Sequence, residues 1–346
     1  MKKETVVIKI GTGGVTLENG IETKIEELKK QHSNVVHYIC AIFKEMGQSL
    51  DLDLLTQISC LEEGCQEKFA TILERVVSGS KIDESAIDNL SRQVFNLRKK
   101  GKNVIIVSSG ACGAGRAEIL HDEERLKRYL QLNIGQILEG KDVEEIMELD
   151  NRYVFGEGQR KIERIYEKIF SRHNMQTKFG LTTHADISND NNLRNLVNSF
   201  FQMGDVLVVN ENDFASSEEL HAFKDGAIAD NDMLAIMLAQ KIEADEVIML
   251  TNGDGIWDEN KARIDQGNIL TCDKILQRKN QVSSGGTGGM KNKAKAIKRA
   301  LQSFINVQVC DAKSFDVFKR QGTYFKTRAI VLHTLSHDSK FNLERS

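Results

Sequence analysis

Short β-branched runs recur along this chain, with stretches of helical periodicity between them. Val6–Ile10, Asn103–Val107, Asp205–Val209, Glu246–Leu250 and Asn306–Cys310 each read as a buried strand, and Thr177–Leu181 as a further one. Apolar residues at three- and four-residue spacing mark helices over Glu84–Lys100, Lys161–His173, Asn192–Met203, Asn231–Ile242 and Met290–Phe304. A strand, a helix and a second strand in succession pair in parallel, with the helix on a face of the sheet. The expected fold class is α/β, an open and mainly parallel sheet sandwiched by helices. Such sheets bind ligands beyond the carboxyl ends of their strands.

Residues 22–100 have a different texture, rich in Glu, Lys, Leu, Ile and Gln. Ile25, Leu28, His32, Val35, Val36, Ile39 and Phe43 suit one helix face, several helices are expected, and Asp83 is placed to cap the last of them. There is no internal repeat and no low-complexity linker, and the polar tail from about Ser336 is expected to be disordered.

Composition excludes more than it assigns. The 346 residues are 40% apolar and 28% charged with a net charge of −3, which disfavours nucleic-acid and membrane-surface partners. No apolar run approaches the roughly 20 residues of a membrane span, and the run Val6–Ile8 is too short for a signal-peptide core. A cytoplasmic location is expected. Six cysteines, at 40, 60, 65, 112, 272 and 310, have no zinc-pair spacing and read as structural thiols. Proline is absent, although a usual frequency of about 5% would place some 17 in this length.

The strand ends carry the chemistry. They are Lys9–Gly14, Ser108–Gly115, Asn210–Asp213 and Thr251–Gly255, where glycines, hydroxyls and carboxylates collect. Glycine turns let backbone N–H groups approach an anion, and a following helix adds its dipole. Each alone is also what an ordinary tight turn looks like. Gly285–Lys291 lacks the Gly-Lys-Ser/Thr ending of a P-loop, and Gly110, Gly113 and Gly115 miss the dinucleotide spacing. The charges discriminate better. Lys9 stands in an apolar strand, and Lys293 follows a glycine-rich run near a helix start. Two lysines and backbone donors can neutralise a transferring phosphoryl group. Asp230, Asn231 and Asp232 open another helix, where capping is the simpler role. Asn210, Glu211, Asn212 and Asp213 suit a substrate of both charges, such as an amino acid.

In this order the segments resemble the amino acid kinase family, and within it the branch that phosphorylates glutamate. The matching pieces are Val7–Thr12 (VIKIGT), Val107–Ala111 (VSSGA), Val209–Asp213 (VNEND), Ala229–Asp232 (ADND), Leu250–Thr251 with Asp254–Gly255, and Gly286–Met290 (GTGGM) with Lys293. They cover residues 1–20 and about 100–332. The resemblance implies that Lys9 and Lys293 stabilise phosphoryl transfer and that Asp232 orients them. It implies that Ser109, Gly110, Ala111, Asn210, Asp213, Asp230 and Asn231 hold the acceptor. It places Lys9, Gly11, Thr12, Thr251, Asn252, Gly286, Thr287, Gly288, Gly289, Met290 and Lys293 on the nucleotide side.

The implied reaction is phosphorylation of the γ-carboxylate of L-glutamate, the first step toward proline, with ATP and Mg2+ and no dedicated metal site. The implied partners are glutamate and ATP, in a homo-oligomer (dimer or tetramer). Ala229 stands where the family usually has glycine, and Asn252 where aspartate is common. The resemblance implies one kinase domain over 1–335, with a helical insertion at about 20–83 and a shorter one at about 138–157. It implies that the chain ends before the RNA-binding-like (PUA) domain of many bacterial members. Another kinase of this fold with a different acid or phosphate substrate, and a non-catalytic sensor, are the rival readings. Retention of Lys9, Asp232 and Lys293 argues against the sensor.

The missing prolines acquire a meaning under this reading. An enzyme that makes proline is needed most when proline is scarce, and a message without proline codons does not stall. In proline-starved cells, synthesis of this chain is expected to hold while that of proline-containing proteins falls. Pulse labelling measures this, and an equal fall refutes it.

Overall fold

The computed structural model describes residues 3–17, 21–48, 50–213, 231–278, 290–319 and 321–327. Its centre is an eight-stranded sheet. The strands are β1 (Thr5–Ile10), β2 (Asn103–Val107), β3 (Thr177–Thr182), β4 (Val206–Glu211), β5 (Glu246–Thr251), β8 (Gln266–Gly267), β9 (Asn306–Asp311) and β10 (Thr323–Phe325), in the order β3-β4-β2-β1-β5-β9-β10-β8. Every pairing is parallel except that of β10 with β9. A two-stranded ribbon, β6 (Ile256–Trp257) with β7 (Arg263–Ile264), lies outside the sheet. The mainly parallel sheet expected from the alternating runs is what the chain forms.

Strand alternation divides the sheet's side chains between two cores. Val7, Ile105, Val107, Leu207, Val209, Val247 and Met249 face one side. There they meet α11 (Leu193–Met203), α12 (Asn231–Ile242), α13 (Ile269–Gln277) and α14 (Met290–Gln302). Val6, Ile8, Ile10, Val104, Ile106, Ile248 and Leu250 face the other, against α6 (Glu84–Lys99) and α9 (Val143–Ser171). β1 is central, paired to β2 on one flank and β5 on the other. Successive strands leave it in opposite directions, so the topological switch, where such sheets open a cleft, falls at the carboxyl ends of β1 and β5.

The segment before β2 folds as α2 (Ile21–Gln31), α3 (Val35–Glu45), α4 (Leu52–Ser59) and α5 (Glu63–Val77). Ile39, Ile42, Ile58, Phe69 and Leu73 form a third core, closed by Leu126, Leu130 and Ile134 of α8 (Glu123–Leu138) and by Val154 of α9. The cap on α6 is as expected, with Asp83 accepting from the N–H groups of Ser85 and Ala86.

Two readings are corrected. The helix expected over 161–173 is the second half of one 29-residue helix, α9. Gly156 and Gly158 resemble breakers, but Gly158 is there for contact: a Cβ on it would lie 1.7 Å from the carbonyl oxygen of Ala111 in α7 (Ala111–Leu120). Gly115 of α7 answers it, its Cβ position falling 1.8 Å from Val154 O. The strand expected to end at Val209 runs on to Glu211, because β3 pairs Leu181 with Asn210 and Thr182 with Glu211. The tail after 335 lies outside the described residues.

This fold does not exclude proline. Leu52 and Glu123 are exposed residues at the first position of α4 and α8, preceded by caps with non-helical ψ (139° at Asp51, 104° at Asp122). Such positions accept proline without loss of a hydrogen bond. Leu52→Pro and Glu123→Pro are expected to change the unfolding free energy by less than about 1 kcal/mol. Gly158→Ala should destabilise by about 1–3 kcal/mol, because two helix backbones must separate. Denaturant titration followed by circular dichroism reads all three.

Candidate active site

Three charged side chains from distant parts of the sequence meet at the switch point. Lys9 stands near the end of β1, in register with Val107 and Met249, and is 6% exposed. Asp232 is the second residue of α12 and is 2% exposed. Lys293 lies in the first turn of α14. Lys9 Nζ is 2.5 Å from Asp232 Oδ1, and Lys293 Nζ donates to Asp232 Oδ2 at 2.6 Å. One carboxylate thus holds two ammonium groups, one on each oxygen. Burial pushes the Asp232 carboxyl up, but Lys293 and Lys9 outweigh it and hold the group well below the usual carboxylate range. A place in the first turn of a helix favours the same ionised form.

Two glycine turns stand beside the lysine. Gly11 donates its N–H to Leu250 O at 3.1 Å and opens the one-turn helix α1 (Thr12–Val15). A Cβ on Gly11 would lie 3.2 Å from Lys9 Nζ, so the turn's backbone passes directly by the ammonium group. Gly110 has φ +96°, which glycine alone adopts without strain, and its Cβ position falls 2.9 Å from Val15 Cγ2. The Ser109–Ala111 turn therefore abuts α1. Asn252 packs its amide on Gly13, where a Cβ would meet Oδ1 at 2.1 Å. Thr251 turns inward on its own loop, its hydroxyl donating to Gly253 O at 2.8 Å.

The carboxyl end of β4 is built differently, from interlocked side chains. Ser109 is buried. Asn210 is 3% exposed; its Nδ2 donates to Gln159 Oε1 at 2.8 Å, and its Oδ1 accepts from the N–H of Glu211 at 2.9 Å. Gln159 in turn donates to Glu163 at 2.9 Å. Asp213 Oδ2 lies 3.7 Å from Cys112 Sγ. Asn231 Oδ1 is buried and has no hydrogen-bond partner among the described residues. His184 Nδ1 is 3.4 Å from Glu211 Oε1, which makes it a support of the strand end.

The structure therefore brings Lys9, Gly11, Thr12, Ser109, Gly110, Ala111, Asn231, Asp232 and Lys293 to one end of the sheet, with Asn210, Asp213, Thr251 and Asn252 on the adjoining strand ends. Met290 opens α14. Asp230 and the run Gly286, Thr287, Gly288 and Gly289 lie outside the described residues. Sequence reasoning missed Gln159, Cys112 and Gly13 as neighbours of these groups. For Gln159 the signal was a resemblance, Gly158–Gln159 being similar to the family's pattern after the second insertion. Cys112 carried none.

A profile of the amino acid kinase family matches residues 76–311, about two thirds of the chain. The chain belongs to the amino acid kinase family. Among its relatives, a glutamate 5-kinase of Dehalococcoides mccartyi is 30% identical over 68% of this chain and 60% of its own length. One of Methanosarcina barkeri is 31% identical over 70% and 61%. The chain thus spans less than two thirds of the length of these curated relatives. Among solved structures, Giardia carbamate kinase covers 94% of this chain and 99% of its own at a TM-score of 0.49 and 10% identity, too distant to carry weight.

Family membership makes the ionic cluster the part to test first. Asp232→Asn leaves two lysines buried against one neutral amide and should destabilise by about 3–5 kcal/mol at neutral pH. The native carboxyl titrates below its unfolded value, so its contribution is complete above about pH 4 and fades as pH falls toward the depressed value. The stability gap between wild type and Asp232→Asn should therefore narrow as pH falls below about 4. Urea titrations at several pH values check the sign, and a gap that widens refutes it.

Proposed function

We propose that this chain transfers the γ-phosphoryl group of ATP to the γ-carboxylate of L-glutamate, giving ADP and glutamyl 5-phosphate. The observation that carries the reading is the buried Lys9–Asp232–Lys293 cluster at the switch point of a kinase-family sheet. The two relatives described above bear the name glutamate 5-kinase, which supports glutamate as the acceptor. The ADND, VNEND and GTGGM segments support it too.

The acceptor carboxylate is already ionised at neutral pH, so no general base is required. One of its oxygens attacks the γ-phosphorus, a new P–O bond forms, and the bond to the bridging oxygen breaks with its electrons leaving on ADP. Charge on the transferring group is met by two ammonium groups fixed in place by Asp232, and by N–H groups of the glycine turns. The lysines need no reorganisation, because Asp232 holds them before substrate arrives. Among the described residues no cluster of three or more His, Cys, Asp or Glu side chains stands ready for a metal. Magnesium in such kinases is held largely by the nucleotide's phosphates, with one or two carboxylates. Asp232, taken by two lysines, is not offered to it.

We also read residues 1–335 as one kinase domain into which α2–α5 are inserted. The family match begins only at residue 76, and those helices gather in a third core that they share with α8 and α9.

The test is ATP turnover with glutamate, aspartate and uridylate offered separately. Glutamate is expected to be the acceptor, and turnover with none of the three overturns the reading. Lys9→Met and Lys293→Met should each lower kcat by about 10²–10³, with folding monitored in parallel.

A further inference from the structure

Arg75 and Arg116 come from different helices and meet on one oxygen. Arg75 on α5 donates from Nη2 to Asn151 Oδ1 at 3.1 Å, and Arg116 on α7 donates from Nη2 to the same atom at 2.5 Å. Arg75 Nη1 also reaches Met147 Sδ at 3.6 Å. Asp150, next to Asn151 on α9, lies 3.9 Å from Arg116 and accepts from the Tyr129 hydroxyl. Burial pushes the Asp150 carboxyl up and the Arg75 guanidinium down. Two guanidinium groups thus meet on one amide oxygen beside a single carboxylate, and the Nε atoms of both have no hydrogen-bond partner among the described residues. An arrangement this costly to bury suggests a task beyond packing.

The junction leads to the acceptor side. Cys112 lies one turn before Arg116 on α7, with Sγ 3.8 Å from Asn151 O and 3.7 Å from Asp213 Oδ2. Burial and the neighbouring Asp213 push the thiol up to about 12, so it stays protonated and donates. A chain of contacts therefore runs from α5 through Asn151, Arg116 and Cys112 to Asp213 at the carboxyl end of β4.

We propose that Cys112 and Arg116, tied to the helical array through Arg75 and Asn151, are positioning residues that hold Asp213 for the acceptor substrate. The inference rests on the proposed glutamate kinase activity, in which Asp213 is one of the groups that hold the amino acid. The contacts traced here end on Asp213, one of the groups that hold the acceptor in that reading, so the effect is expected on the acceptor and not on the nucleotide.

Steady-state kinetics of Cys112→Ala, Cys112→Ser and Arg75→Met, beside wild type, test it. Cys112→Ala is expected to raise KM for glutamate about three- to tenfold, the range for loss of one ordinary hydrogen bond, since a thiol is a weak donor even to a carboxylate. KM for ATP and kcat should stay within about twofold, since no transition-state contact is removed. Cys112→Ser keeps a donor and should restore KM for glutamate. Arg75→Met should shift it in the same direction as Cys112→Ala, with circular dichroism showing that the helices remain. Equal rises in both KM values, a fall in kcat alone, or an unchanged Cys112→Ala overturns the inference and leaves the activity standing. A wild type that turns over no glutamate overturns the proposed function and this inference with it.

Discussion

Three charges buried at one point govern this molecule. Lys9, Asp232 and Lys293 are drawn from positions 9, 232 and 293, and leaving one of these charges without its partner costs about 3–5 kcal/mol. They coexist because β1 is the sheet's central strand and because α12 and α14 both begin at its carboxyl end. The cluster carries one positive charge in excess. An excess of positive charge is unfavourable by itself and favourable toward an anion, which is the property the proposed phosphoryl transfer would use.

Close approach of backbones supplies the rigidity the cluster needs. Gly115 and Gly158 let α7 and α9 touch main chain to main chain, and Gly110 lets the Ser109–Ala111 turn press on α1. Between α5 and α6, the chain runs past both turns. Ser80 donates its N–H to Gly113 O at 3.0 Å, Leu17 to Lys81 O at 2.7 Å, and Asp83 to Val15 O at 2.7 Å. The two glycine turns are therefore fixed by a segment that begins in the helical array. That array is continuous with the core under α8 and α9 through Leu126, Leu130 and Val154, so it is built into the domain and does not hang from it.

The sheet was legible because its signal is local. A β-branched run such as Asn103–Val107 declares a buried strand whatever surrounds it, and Lys9 declares itself as the one charge in such a run. Long helices were less legible where glycine served contact instead of termination, as at Gly158. Two- and three-residue strands such as β6–β8 and β10 carry no periodicity and were not foreseen. In the site, residues whose chemistry is written in a motif were found, and residues whose role depends on what folds against them were not. Gln159 matters because Asn210 arrives beside it, and Cys112 because Asp213 does. Neither meeting is written in the spacing of either residue.

The two sides of the site are made of different material, and this has consequences for what each can vary. At the turn after β1 it is backbone that comes forward, Gly11 passing Lys9 Nζ so closely that a Cβ would lie 3.2 Å from it. At the carboxyl end of β4 it is side chains tied in series, from Glu163 to Gln159 to Asn210 and from Arg75 and Arg116 through Asn151 to Cys112 and Asp213. The contacts described at the end of β4 are thus separate from the ones that bind Lys9 and Lys293 to Asp232. On the reading proposed above, the charges for phosphoryl transfer and the groups that hold the acceptor can therefore vary separately, the latter from helices well behind the ionic cluster.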